Sequence, residues 1–185
     1  MPQSKSVVLI DKANIGAAFA AIIQAKKMSL TQVRLDFNKL VETVTLGSDL
    51  VEKSIYIEKP ENPGWKKFYD YLELSGFRVV AKEIKTISLS NGSIKNKANF
   101  DVEIATDICR HAWRRDCNEV VLISGDSDFA YLIDSLKNID IKVTIVSSKG
   151  MISRELKDRA DRIILLDEDL KIEAVSSPVP KKESK

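Results

Sequence analysis

Short runs of β-branched and aliphatic residues alternate along the chain with longer segments whose apolar positions recur every three to four residues. SVVLI (6–10), VEKSIYIE (51–58), FRVVAKEI (77–84), EVVLIS (119–124) and IKVTIVS (141–147) have the length and composition of strands. Segments 15–27, 35–46, 64–74, 101–114 and 128–136 carry the helical period. Strands alternating with helices predict a parallel sheet covered on both faces. The almost unbroken apolar character of VVLI and VVLIS agrees, because strands of such sheets are buried on two sides. The expected architecture is a three-layer α/β domain, Rossmann-like, around a central and mainly parallel sheet.

Two segments break the rhythm. In IKTISLSNGSIKNKANF, alternating residues flank Asn91-Gly92, a dipeptide suited to the positive φ angles of a tight hairpin turn. A small β-hairpin insertion is expected there. Past residue 170, LKIEAVSSPVPKKESK loses periodicity and gains proline, serine and lysine, which predicts a domain over 1–170 and a disordered tail over 171–185.

Composition narrows the picture. A chain of 185 residues with 44% hydrophobic content can bury one sizeable core. Its 29 basic and 27 acidic residues leave a net charge of +2, so charge alone does not announce a polyanion partner. Two cysteines, Cys109 and Cys117, are too few for a disulfide framework or a structural zinc site. No apolar run reaches the roughly 18 residues of a membrane span, and the N-terminus has no signal-peptide core. A cytoplasmic protein with no membrane partner is the expectation.

The chemistry gathers where strands end. Open α/β sheets bind ligands beyond the carboxyl ends of their strands, where strand order reverses. VVLI runs into Asp11 with Asn14 three residues on, and VVLIS runs through Gly125 into Asp126 and Asp128. Each of these residues also suits a helix cap, Asn14 for IGAAFAAII and Asp128 for FAYLIDSL. On the 101–114 helix, Val102, Ile104, Ala105, Ile108, Cys109 and Ala112 form an apolar arc with Asp101 at its centre, so Asp101 is expected to face the sheet. The same wheel puts Asp107 on the polar side, His111 on a surface flank and Cys109 in the core. Converging acids without histidine suit a hard cation, Mg²⁺ or Mn²⁺. A Ser-His or Cys-His nucleophile system lacks its base.

IDKANI, KANFDVEIATD and SGDSDFAYLI, in that order, resemble the motifs of the NYN domain, the LabA-like branch of the PIN-like nuclease superfamily, over about residues 6–167. The resemblance implies a PIN-like fold and a metal-dependent ribonuclease with RNA as partner. It implies Asp11, Asn14, Asp101, Asp126 and Asp128 as catalytic residues, with Asp11, Asp101 and Asp126 as metal ligands. Lys12, Lys97, Ser124 and Ser127 are the expected substrate contacts, and a homodimer is compatible with the sequence. Asp107 also matches a recurrent family acid. Lys12 stands where the family usually has a small residue, and Ala98 where glycine is common. Lys95, Lys149 and Arg154 complete the basic candidates for a phosphate track. The competing reading is a regulatory RNA-binding module that keeps the fold and turns over slowly or not at all. A haloacid-dehalogenase-like phosphatase is disfavoured, since Ala13 stands where that chemistry needs a second acid.

Overall fold

In the computed structural model, which describes residues 4–60, 64–88 and 94–179, the chain alternates strands and helices as its pattern requires. Strand β1 (Ser4–Asp11) leads into α1 (Lys12–Ala25), β2 (Val33–Leu35), α2 (Phe37–Val44), β3 (Ser48–Lys59), α3 (Trp65–Leu74) and β4 (Arg78–Glu83). A hairpin of β5 (Lys85–Ser88) and β6 (Ile94–Lys97) precedes α4 (Asp101–Arg114) and β7 (Glu119–Ile123). A 3-10 turn at Ser127–Phe129 then enters α5 (Ala130–Lys137), followed by β8 (Lys142–Ser147), α6 (Arg154–Arg159), β9 (Arg162–Leu165) and β10 (Ser176–Pro178). The hairpin arms pair antiparallel as expected; its Asn91-Gly92 turn lies outside the described residues.

The main sheet has the order β4-β3-β1-β7-β8-β9, with each adjacent pair parallel. Strand order reverses between β1 and β7, so the crevice beyond their carboxyl ends is the natural ligand position. Ile10 sits opposite Ile123, and the chain therefore leaves both strands at the same level, at Asp11 and at Ser124. Alternation along each strand divides the core in two. Val8, Ile10, Val121 and Ile123 pack with Ile15, Leu40 and Leu72 of α1 to α3. Val7, Leu9, Val120 and Leu122 pack with Ile104, Ile133 and Leu156 of α4 to α6. Among the described residues no helix is long and apolar enough to cross a membrane.

Two expectations are corrected. The residues after 170 do not all form a loose tail: Val175 is fully buried, Ile172 nearly so, and both join the core beneath α1 and α2. Strand β10 pairs antiparallel with β2, and the Ser177 hydroxyl donates to Asp36, the residue whose side chain caps α2. The second correction concerns α4, whose buried face is turned away from the predicted arc. Val102 is 74% exposed and Cys109 is exposed, whereas His111 is 3% exposed.

Candidate active site

The acids at the switch point are held by local backbone logic. Asp11 ends β1 in an extended conformation and caps α1, its Oδ1 accepting from the amides of Ala13 and Asn14 at 3.1 Å each. Asp126 repeats the device after β7, capping the 3-10 turn by accepting from the Asp128 amide at 3.1 Å. The capping that Asn14 and Asp128 could have supplied is supplied by Asp11 and Asp126, which precede them. In both, the described hydrogen bonds engage only Oδ1, which leaves Oδ2 for a further ligand.

Asn14 has a different task. Its Oδ1 accepts from the Gly125 amide at 3.0 Å, tying the start of α1 to the turn after β7. The Gly125 carbonyl accepts from Ser153 N at 3.0 Å. A Cβ at Gly125 would lie 2.4 Å from the Met151 carbonyl oxygen and 2.6 Å from Ser147 Oγ, so only glycine fits this bend. Ser124, an expected substrate contact, is fully buried and its Oγ accepts from Asp126 N at 3.3 Å, so in this structure it shapes the turn that carries Asp126. Ser127 is exposed beside the acids.

Asp101 opens α4, with its amide donating to Asn99 Oδ1 at 2.8 Å. Carboxylate oxygens of Asp101, Asp126 and Asp128 lie within 4.8 Å of one another. Asp11, Asn14, Asp101 and Asp126 line one cleft of about 240 Å³ together with Asn99 and Glu58. Glu58, near the end of β3, was not singled out by the sequence; its signal is an acid close to the carboxyl end of a strand adjacent to β1. Burial pushes the Asp11 carboxyl above its ordinary range, the Asn14 and Ala13 amides oppose this, and the charges of Asp101 and Asp126 add to the rise. An all-oxygen donor set under mutual repulsion fits a hard divalent cation.

Other candidates fall elsewhere. Lys12 lines a neighbouring depression with Glu58 and Trp65 rather than the acidic cleft. Lys149 pairs with Glu168 at 2.7 Å and Arg154 with Asp158 at 3.7 Å. The side chains of Lys95 and Lys97 lie outside the described part. Asp107 does not face solvent as its wheel position predicts. It is 16% exposed, accepts from the fully buried Tyr56 hydroxyl at 2.6 Å, and is paired with Arg78. Burial, followed by that bond to Asp107, pushes the Tyr56 phenol far up. A groove of about 810 Å³ between α4 and α5 lies at the opposite end of the sheet and gathers no cluster of acids.

The family model for the NYN domain matches residues 5–167. The chain belongs to the NYN domain family. It is 35% identical over 136 residues to the Low amplitude and bright protein LabA of Synechococcus elongatus, a match spanning 71% of this chain and 72% of that one. A crystal structure of a protein of unknown function, VPA0982 from Vibrio parahaemolyticus, superposes with a TM-score of 0.69 at 27% identity, covering 90% of this chain and 95% of the other. The NYN residues bracket the cleft: the match begins in β1, before Asp11, and ends after β9.

Proposed function

We propose that this NYN domain is a metal-dependent ribonuclease that hydrolyses RNA phosphodiester bonds, as an endonuclease, with Mg²⁺ or Mn²⁺. The observation that supports it best is the meeting of Asp11, Asp101 and Asp126 in one cleft, where burial raises the Asp11 pKa and the charges of Asp101 and Asp126 add to the rise. Asp11, Asp101 and Asp126 would hold the cation, with Asp128 beside them. A bound divalent cation supplies charge neutralisation at the phosphate and a more acidic water. Asn14 keeps the Gly125 amide in place and so sets where Asp126 points. The cap bonds hold Asp11 and Asp126 in fixed rotamers, which removes the reorganisation a flexible acid would need. The two cysteines are unpaired, which agrees with a reducing cytoplasm.

A second reading, an RNA-binding module with little turnover, draws on the same caps, because capping alone accounts for Asp11 and Asp126. One experiment separates the two. Purified protein is incubated with labelled RNAs, with Mn²⁺ or Mg²⁺ and with chelator, beside Asp101→Asn and Asp126→Asn. Cleavage lost with chelator and reduced at least 100-fold in each variant supports the nuclease. RNA retention without cleavage under any metal supports the binder.

A further inference from the structure

The acidic cleft continues into two further depressions. It shares Glu58 with a second one of about 240 Å³ bounded by Lys12 and Trp65, and this shares Gly64 and Phe68 with a third of about 390 Å³ bounded by Arg34, Lys67 and Tyr71. The path crosses the carboxyl end of β3, passes the start of α3 and ends at the turn between β2 and α2. Two of the three are below the usual range for a compact small-molecule site, roughly 300–1,000 Å³. A string of small linked depressions suits a chain of repeating units instead.

Charge along the path has one direction of preference. Among the described residues, the side chains of Lys12, Arg34 and Lys67 have no hydrogen-bond or ion-pair partner, whereas neighbouring Lys66 is paired with Asp70 at 2.9 Å. Three uncommitted cations therefore follow the cleft. The acids on the path are either occupied or useful. Asp36 is taken by the amides of Asn38 and Lys39 and by the Ser177 hydroxyl. Glu58 stands at the junction of the first two depressions, where a carboxylate can accept from an exocyclic base amine.

Aromatic rings are interleaved with these cations. The Trp65 ring meets Tyr69 edge-on at 5.4 Å and 77°, with the Lys59 ammonium 5.3 Å from its centroid, so its plane is fixed before any ligand arrives. Tyr71 is 43% exposed at the far end. Rings alternating with lone cations make a platform for unstacked bases and their phosphates, which a duplex, with its bases stacked inside, cannot use.

We propose that a single-stranded RNA segment flanking the scissile phosphate lies along this path, with a base against Trp65 and phosphates on Lys12, Lys67 and Arg34. This rests on the reading of RNA as the substrate, but not on turnover. The test uses the full chain carrying Trp113→Phe, which leaves Trp65 as the sole tryptophan. Its fluorescence is titrated with single-stranded and duplex oligoribonucleotides and with polyglutamate, in chelator so that nothing is cleaved.

Single-stranded RNA should quench Trp65, and duplex and polyglutamate should not. Affinity, measured in the wild-type background with labelled oligomer, should fall roughly tenfold in Trp65→Ala and recover in Trp65→Phe. Arg34→Glu and Lys67→Glu should each weaken binding, and Arg34→Ala and Lys67→Ala should each lower the salt slope by about 0.7. Unchanged affinity in all these variants, with RNA still bound and cleaved, would overturn the path and leave the nuclease standing. Binding that follows the path without metal-dependent cleavage would sink the nuclease and keep the path. Equal quenching by polyglutamate or duplex would overturn the single-stranded assignment, as would no RNA binding at all.

Discussion

Asp11 illustrates how one residue serves a fold and a site. Oδ1 caps α1, while the residue also lines a cleft with Asp101 and Asp126. Asparagine caps a helix about as well as aspartate and carries no charge. Asp11→Asn should therefore keep α1 while relieving both the burial cost and the repulsion that raise this pKa. The sign follows from linkage: a carboxyl raised in the folded state favours folding below its folded pKa and opposes it once ionised. In chelator at neutral pH the variant should melt higher than wild type, by about 2–4 °C for each kcal/mol relieved. Adding Mn²⁺ should raise the melting temperature of wild type and shift the variant less. A variant that melts lower in chelator would show that the charge itself holds the fold. Asp11, Asn14, Asp101 and Asp126 were readable in the sequence because strand ends and motif order mark them; Glu58 was not, because nothing local distinguishes it from a surface acid.

At the scale of elements, α4 shows where periodicity misleads. Counting apolar residues as inward centres the helix on Asp101 and sends Asp107 and His111 outward. Their partners lie on other elements, far away in sequence. Glu52 of β3 accepts from Arg78 and Arg110 at 3.0 Å, His111 lies 3.5 Å from Glu52 and 2.8 Å from Asp116, and Asp107 takes the Tyr56 hydroxyl. A polar group with such partners is cheaper to bury than its type suggests, so the helix rolls toward Asp107 and His111 and leaves Val102 exposed. Burial raises the Glu52 pKa, but hydrogen bonds from Ser54 and Arg78 and the nearby charges of Arg110 and His111 outweigh it and hold the carboxyl at about 2, below its ordinary 4.5. A depressed carboxyl contributes stability above its unfolded pKa and loses it as pH falls through the folded one. Between about pH 4.5 and 2, wild type should lose stability that Glu52→Gln never had, and the two acid-unfolding curves should converge there. Parallel curves through that window would mean the ion pairs contribute nothing.

Across the whole molecule, what proved legible was the set of long or strongly apolar elements: the five predicted strands all appear in the sheet, in parallel, with helices on both faces. The pieces that escaped are short. Strand β9 has 4 residues, α6 has 6 and β10 has 3, too few to show a period against their polar neighbours. The last of these matters most for stability, since KIEAVSSP looks like a tail only while its destination is unknown. Its Ile172 and Val175, three apart, enter the core on one face of a 3-10 turn, and its strand closes the small sheet with β2. Full burial of an aliphatic side chain is worth about 1.5–3 kcal/mol, an upper figure because the unfolded chain already hides part of it. Deleting 171–185 removes both side chains, the β10 pairing and the Ser177 bond to the α2 cap together. The melting temperature should fall on the order of 10 °C, taking about 2–4 °C per kcal/mol. Ending the chain after Val179 instead should leave it unchanged, because the buried residues and the pairing are kept. Calorimetry on both truncations decides the matter: equal melting temperatures for full length and the 1–170 chain would show that this segment adds nothing to the core it touches.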